Sequence, residues 1–303
     1  LPPICGLFPL LLYIVLSFRK GMHPLVNVSI CAVVGAILVK QPLGSLGAVI
    51  YESMGSFLAL VGFIIMLGSG LGVVLRKTGV AAAIVNVLMR KIGVKTQKRA
   101  ILATMVSSVC LVTLLGTLAG ANAVIAPIVI PLVAAVGITP STLAIIFQGA
   151  GQTGLFLSPF SPPMVTLMGI TGLSYPRILV CAGIPIAIVM WIGTYLIAIK
   201  VQKDTQGKED FGTDVELPDG NFKVDPVTKR ATFTFVITMA VMVVYGIITK
   251  GGASFVILVM LVAAILTGLV AKMSAGEIFD SIIEGCGKLM WLFFMFLMFN
   301  PFL

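Results

Sequence analysis

Two short stretches hold the residues that could do chemistry. In LLGTLAGANAVIAPIVIPL, Leu114 to Leu132, an apolar run is broken by Gly116, Thr117, Gly120 and Asn122, then stiffened by Pro127 and Pro131. In FQGAGQTGLFLSPFSPPMVTLMGITG, Phe147 to Gly172, neutral oxygens come from Gln148, Gln152, Thr153, Ser158 and Ser161. Pro159, Pro162 and Pro163 prevent a continuous helix there. Neutral carbonyl and hydroxyl oxygens are ligands for a hard cation such as Na⁺ and need no carboxylate to hold it. Thr117, Asn122, Thr153 and Ser158 are therefore the candidate Na⁺ ligands. Gly116, Gly120, Gln152 and Ser161 complete a candidate substrate and ion site.

These residues sit in a membrane-grade chain. Of 303 residues 59% are hydrophobic and 10% charged, and several runs of about twenty apolar residues are long enough to cross the hydrocarbon core. The expected class is an all-α polytopic membrane protein, multi-pass, in the inner (plasma) membrane. The net charge of +9 reads as basic cytoplasmic loops rather than a nucleic-acid surface. Five scattered cysteines make no disulfide or zinc pattern. His23, the single histidine, reads as a loop residue. The first segment lacks a basic region and a cleavage site, so it does not read as a signal peptide.

Helices are expected at 3–18, 24–40 and 54–75, with a short amphipathic piece at 80–89. Next comes the unusual region 100–137, then an interrupted helix at 141–171 and a long helix at 176–200. Residues 201–230 hold seven of the eleven carboxylates and read as a cytoplasmic linker, punctuated by Pro218, Gly220 and Pro226. Helices resume at 231–249 and 253–271, and a last one starts near Gly285.

The loop 76–99 carries Arg76, Lys77, Arg90, Lys91, Lys95, Lys98 and Arg99 and no acid, which places it in the cytoplasm. With 100–137 treated as a re-entrant hairpin turning near 116–122, basic residues fall overwhelmingly inside. Lys40, Arg177 and Lys250 then lie outside.

A weak repeat relates GAVIYESMGSFLALVGFIIML, 47–67, to FDSIIEGCGKLMWLFFMFLMF, 279–299, with Glu52 over Glu284 and Gly55 over Gly287. Five crossings plus a hairpin make the first unit, 1–200, odd in number, so a second unit starting at 231–303 must be inverted. Inverted repeats with broken helices mark secondary transporters. By the same arithmetic the second repeat is incomplete in this chain, and its hairpin would fall at roughly 331–369.

A hairpin tip at membrane depth offers a helix end and a helix start together. Carbonyls around Leu115 to Leu118 would suit Na⁺, and amides around Asn122 to Val124 would suit an anion. Asn122 fits as an N-cap, and Gly116 and Gly120 permit a tight turn. The alternative is a Gly-rich kink used for close packing, as also expected for MLGSGLG, Met66 to Gly72. For the second stretch the alternative is a Pro-kinked structural helix.

The hairpin followed by GQTGLFLSPFSPPMVTLMGITG resembles the ion transporter superfamily, nearest its anaerobic C4-dicarboxylate carrier and NhaC-type sodium/proton antiporter branches. The resemblance is specific over about 100–200 and architectural elsewhere. Where that superfamily has a Ser-Asn-Thr-like triplet at the tip, this chain has Gly-Ala-Asn, so only Asn122 and the neighbouring Thr117 carry over.

No Asp or Glu occurs at 1–51 or 53–203. The first unit thus offers no intramembrane carboxylate to carry a proton, and Glu52 and Glu284 read as favourable charges at helix starts. The expected function is a cation-coupled secondary transporter, Na⁺ favoured, moving a small organic anion such as a dicarboxylate. The alternative is a sodium/proton antiporter. Expected partners are that anion, the coupling cation and the lipid bilayer, with a homodimer admitted and no nucleic acid. No cofactor beyond Na⁺ or a proton is implied. No membrane His/Asp/Glu/Cys constellation supports an enzyme, and no G-x-x-x-x-G-K-[ST] motif supports ATP drive.

Overall fold

The computed structural model describes residues 4–19, 22–40, 42, 46–211, 225–249, 251–252 and 254–299. Lys20, Lys250 and most of the expected linker, including Pro218 and Gly220, lie outside the described residues. Every element among the described residues is helical. This is an all-α polytopic membrane protein, and among the described residues five helices are long and apolar enough to cross a membrane.

The chain divides into two compact units, 1–66 with 287–303, and 67–286. In the first, α1 (Ile4–Ser17) and α2 (Pro24–Leu38) form a helical pair, followed by α3 (Leu46–Met54) and the start of α4 (Phe57–Lys77). His23 is more than a loop residue. Its Nδ1 accepts from Leu25 N at 3.2 Å to cap α2, and its ring meets Trp291 edge-on at 5.1 Å.

The second unit holds the rest of α4, then α5 (Val80–Ile92), α6 (Gln97–Leu115) and α7 (Leu118–Ala134). The broken helix follows as α8 (Pro140–Leu157) and α9 (Pro162–Thr171). Next, α10 (Tyr175–Ile178), a π-helical turn (Leu179–Gly183) and α11 (Ile184–Thr205) run on as one 31-residue span. The unit continues with α12 (Pro226–Ile248), α13 (Phe255–Val270) and the start of α14 (Ala275–Phe299). On α11, Val189, Ile192 and Leu196 are exposed, as an apolar face turned to lipid requires.

Helices α6 and α7 are joined by a two-residue turn into a helical hairpin. Gln97 Nε2 donates to Gly137 O at 3.3 Å, closing its base. A clasp ties that base to α11: Gln202 Nε2 donates to Gly137 O at 2.7 Å, and Thr139 N donates to Gln202 Oε1 at 3.1 Å. Gln202 and Thr139 are buried, so the Thr139 amide finds its partner where water cannot replace it, whereas Gly137 is exposed.

Two expectations are corrected. The last helix begins at Ala275, not near Gly285, because Ser274 and Glu277 form a reciprocal cap: Ser274 N donates to Glu277 Oε2 at 2.7 Å, and Glu277 N to Ser274 Oγ at 3.2 Å. Glu284 is therefore well inside α14, where it pairs with Arg76 at 3.1 Å and Lys77 at 2.9 Å from the last turn of α4. Glu52 lies in the last turn of α3, so neither glutamate marks a helix start.

Candidate ion site at the hairpin tip

The tip is narrower than the sequence suggested. Helix α6 ends at Gly116, whose φ of 68° is the left-handed conformation that glycine adopts without strain. Thr117 is extended, and α7 starts at Leu118. The N-cap position thus belongs to Thr117, and Asn122 lies in the second turn of α7. Thr117 makes no side-chain cap bond, and Ala121 N donates to Thr117 O at 3.3 Å to close the first turn of α7. The opening amides Leu118 to Gly120 precede any intrahelical bond.

The break in the second stretch is the four residues Ser158 to Ser161. It lies against the tip. A Cβ on Gly116 would sit 2.8 Å from Phe160 O and 2.9 Å from Phe160 C, so only glycine lets the two turns meet. From the other side α4 closes on the tip: a Cβ on Gly68 would lie 2.7 Å from Thr117 Cγ2 and 2.8 Å from Leu115 O. Gly120 faces Ser69 Cα, with 3.6 Å from its ideal Cβ. The MLGSGLG stretch is close packing, as expected: Gly68 and Gly72 pack on the hairpin tip, and Gly70 packs on Ile282 and Gly285 of α14. Ser69, buried there, went unnoticed in the sequence because its glycine neighbours signal packing first.

The candidate ligands now separate. Thr117 Oγ1 and Asn122 Oδ1 are buried with no hydrogen-bond partner. The other two have local bonds: Thr153 Oγ1 donates to Gly149 O at 3.1 Å, and Ser158 Oγ accepts from Phe160 N at 3.2 Å. Ser161 Oγ donates to Leu155 O at 2.5 Å and caps α9 by accepting from Met164 N at 3.4 Å. Gln152 is half-buried on the continuous part of α8.

Carbonyls at the end of α8 are largely taken as well. Gly154 O accepts from Thr113 Oγ1 at 3.2 Å and Leu157 O from Tyr175 Oη at 2.8 Å. The break is thus a self-satisfied turn, and of the candidate ligands the two buried oxygens without partners lie on the hairpin. From Ala100 to Pro176 there is no Asp, Glu, Lys, Arg or His, so the environment of the tip is uncharged except for helix ends.

The family model of the Na⁺/H⁺ antiporter family matches residues 13–201, more than half of the chain and all of the hairpin and broken helix. The chain belongs to the Na⁺/H⁺ antiporter family. It is accordingly a cation-coupled transporter of the lipid bilayer. A comparison with curated proteins finds no match.

Proposed function

We propose that this antiporter-family chain exchanges Na⁺ for protons, with Na⁺ held at the hairpin tip. The observation that carries the reading is two buried, unpartnered oxygens, Thr117 Oγ1 at the turn of a hairpin that abuts a broken helix and Asn122 Oδ1 in the second turn of its returning arm. An oxygen left unsatisfied in a buried place costs about 1–3 kcal/mol, and a bound cation removes that cost. Neutral oxygens bind a hard monovalent ion without trapping it, which a transporter needs. The cell's inner membrane, the whole chain spanning it several times, is the natural setting for such exchange.

The organic-anion reading has one feature in its favour, the open amides Leu118 to Gly120 at the start of α7. Against it, no basic side chain occurs from Ala100 to Pro176 to neutralise a dicarboxylate. Reconstitution of the full-length protein separates the two. External Na⁺ should alkalinise the lumen of acid-loaded liposomes, and a dicarboxylate added outside should not accumulate under a Na⁺ gradient. Accumulation without proton movement would reverse the assignment.

A further inference from the structure

Below the tip, α6 carries three hydroxyls that behave unlike most of those in the other helices; Thr267 on α13, likewise buried without a partner, is a single such residue rather than a cluster. Thr104, Ser107 and Ser108 are fully buried, and none of their oxygens has a hydrogen-bond partner. A serine or threonine inside a helix ordinarily turns its hydroxyl back onto the carbonyl four residues earlier. Ser29, Ser53, Thr78, Thr153, Thr232 and Ser281 all do so, at 2.6 to 3.1 Å. The α6 trio, in the same backbone setting, keeps both its donor and its acceptor capacity unused.

That difference selects the ligand. A back-bonded hydroxyl such as Thr153 still has lone pairs for a cation, so a cation station would not need the donor to be free. Water needs both: a buried water makes about three hydrogen bonds and settles where polar groups are otherwise unsatisfied. Three orphan hydroxyls within two turns supply that number. Thr104 and Ser108, four residues apart, share a face of α6. Opposite Ser108 the α8 residue is Gly151, whose ideal Cβ position is 3.5 Å from Ser108 Oγ; the place a side chain would take there is entered by Leu118 Cδ1 from the start of α7.

We propose that Thr104, Ser107 and Ser108 bind internal water and that this hydrated cluster is a proton-relay segment serving the hairpin tip. Each hydroxyl accepts a proton from a neighbouring water as it gives its own proton to the next oxygen, so no side chain ends with a net charge. The relay role rests on the Na⁺/H⁺ exchange reading, whereas the water does not. It gives the proton a route through a region, Ala100 to Pro176, that holds no carboxylate.

The test uses full-length protein and two kinds of variant. T104V with S107A and S108A removes the hydroxyls, while T104S with S108T keeps them. In liposomes the hydroxyl-free variant should slow Na⁺/H⁺ exchange about tenfold or more, the scale of losing one or two hydrogen bonds. Its ²²Na⁺/Na⁺ exchange at constant pH should be unchanged, and the hydroxyl-keeping variant should match wild type in both assays. A parallel fall of both exchanges, no fall in either, or equal loss in the two variants would overturn the relay. Radiolytic hydroxyl labelling reads the water independently: the peptide around Thr104–Ser108 should label in wild type and not in the hydroxyl-free variant. Wild type that labels but moves no protons sinks the exchange reading and the relay with it, while the water site stands. Wild type that exchanges protons without labelling there sinks the inference alone.

Discussion

At the residue scale, the site depends on two oxygens and one glycine. Replacing Thr117 with Val removes a buried hydroxyl at nearly constant shape. The expected result is a Na⁺ half-saturation raised about tenfold, corresponding to about 1.4 kcal/mol, with folding retained. Asn122→Ala should act in the same direction, and ²²Na⁺ binding to purified protein measures both. Gly116→Ala is a different kind of lesion. It forces φ of 68° on a residue with a Cβ and drives that Cβ to 2.8 Å from Phe160 O. A loss of about 1–3 kcal/mol in stability, seen as a lower thermal midpoint in detergent, is expected. Gly68→Ala, opposite the same turn, should be comparable.

At the scale of elements, the hairpin and the broken helix form one assembly. The arms of α6 and α7, 19 and 17 residues, are about 28 and 26 Å long by helix rise. The span Tyr175–Thr205 is 31 residues, about 46 Å, and α9 continues for ten residues past the break that meets the tip. The tip therefore meets the broken helix part-way along its course. Cysteines at Gln97 and Gly137 should label from the same face of the membrane. Gln202→Ala, which strips two partners from the hairpin base, should lower stability by about 1–3 kcal/mol and loosen amide-exchange protection near Gly137.

Much of this assembly was legible in the sequence, because glycine before a helix start and proline after a break have local causes. The limits of α8 and α9 follow from Thr139-Pro140 and Ser161-Pro162, each a hydroxyl cap with Pro in the first turn. What was not legible is three-dimensional. That Ser158 and Ser161 spend their hydroxyls locally while Thr117 does not depends on rotamers and neighbours, not on residue type. The polar residues Ser274, Glu277 and Asp280 hide the start of α14 from an apolar-run reading, which begins the helix only near Gly285. Glu284 then looked like a terminal charge, although it is an ion-paired residue within the helix.

At the scale of the whole molecule, the charges of α4 gather in its last turn and pair with Glu284 within α14, while the proposed exchange is left to neutral atoms. The Glu284 pairs with Arg76 and Lys77 are more than a third exposed, so Glu284→Gln should cost no more than about 1 kcal/mol and leave exchange intact. In the proposed exchange, transport instead rests on the uncharged hairpin. The most direct measurement is the initial rate at which external Na⁺ collapses an imposed pH gradient in liposomes holding the full-length protein, compared between wild type and T117V. The account predicts saturable, Na⁺-dependent proton efflux in wild type and a half-saturation shifted about tenfold upward in the variant. Proton movement indifferent to Na⁺, or an identical Na⁺ dependence in the two proteins, would contradict it.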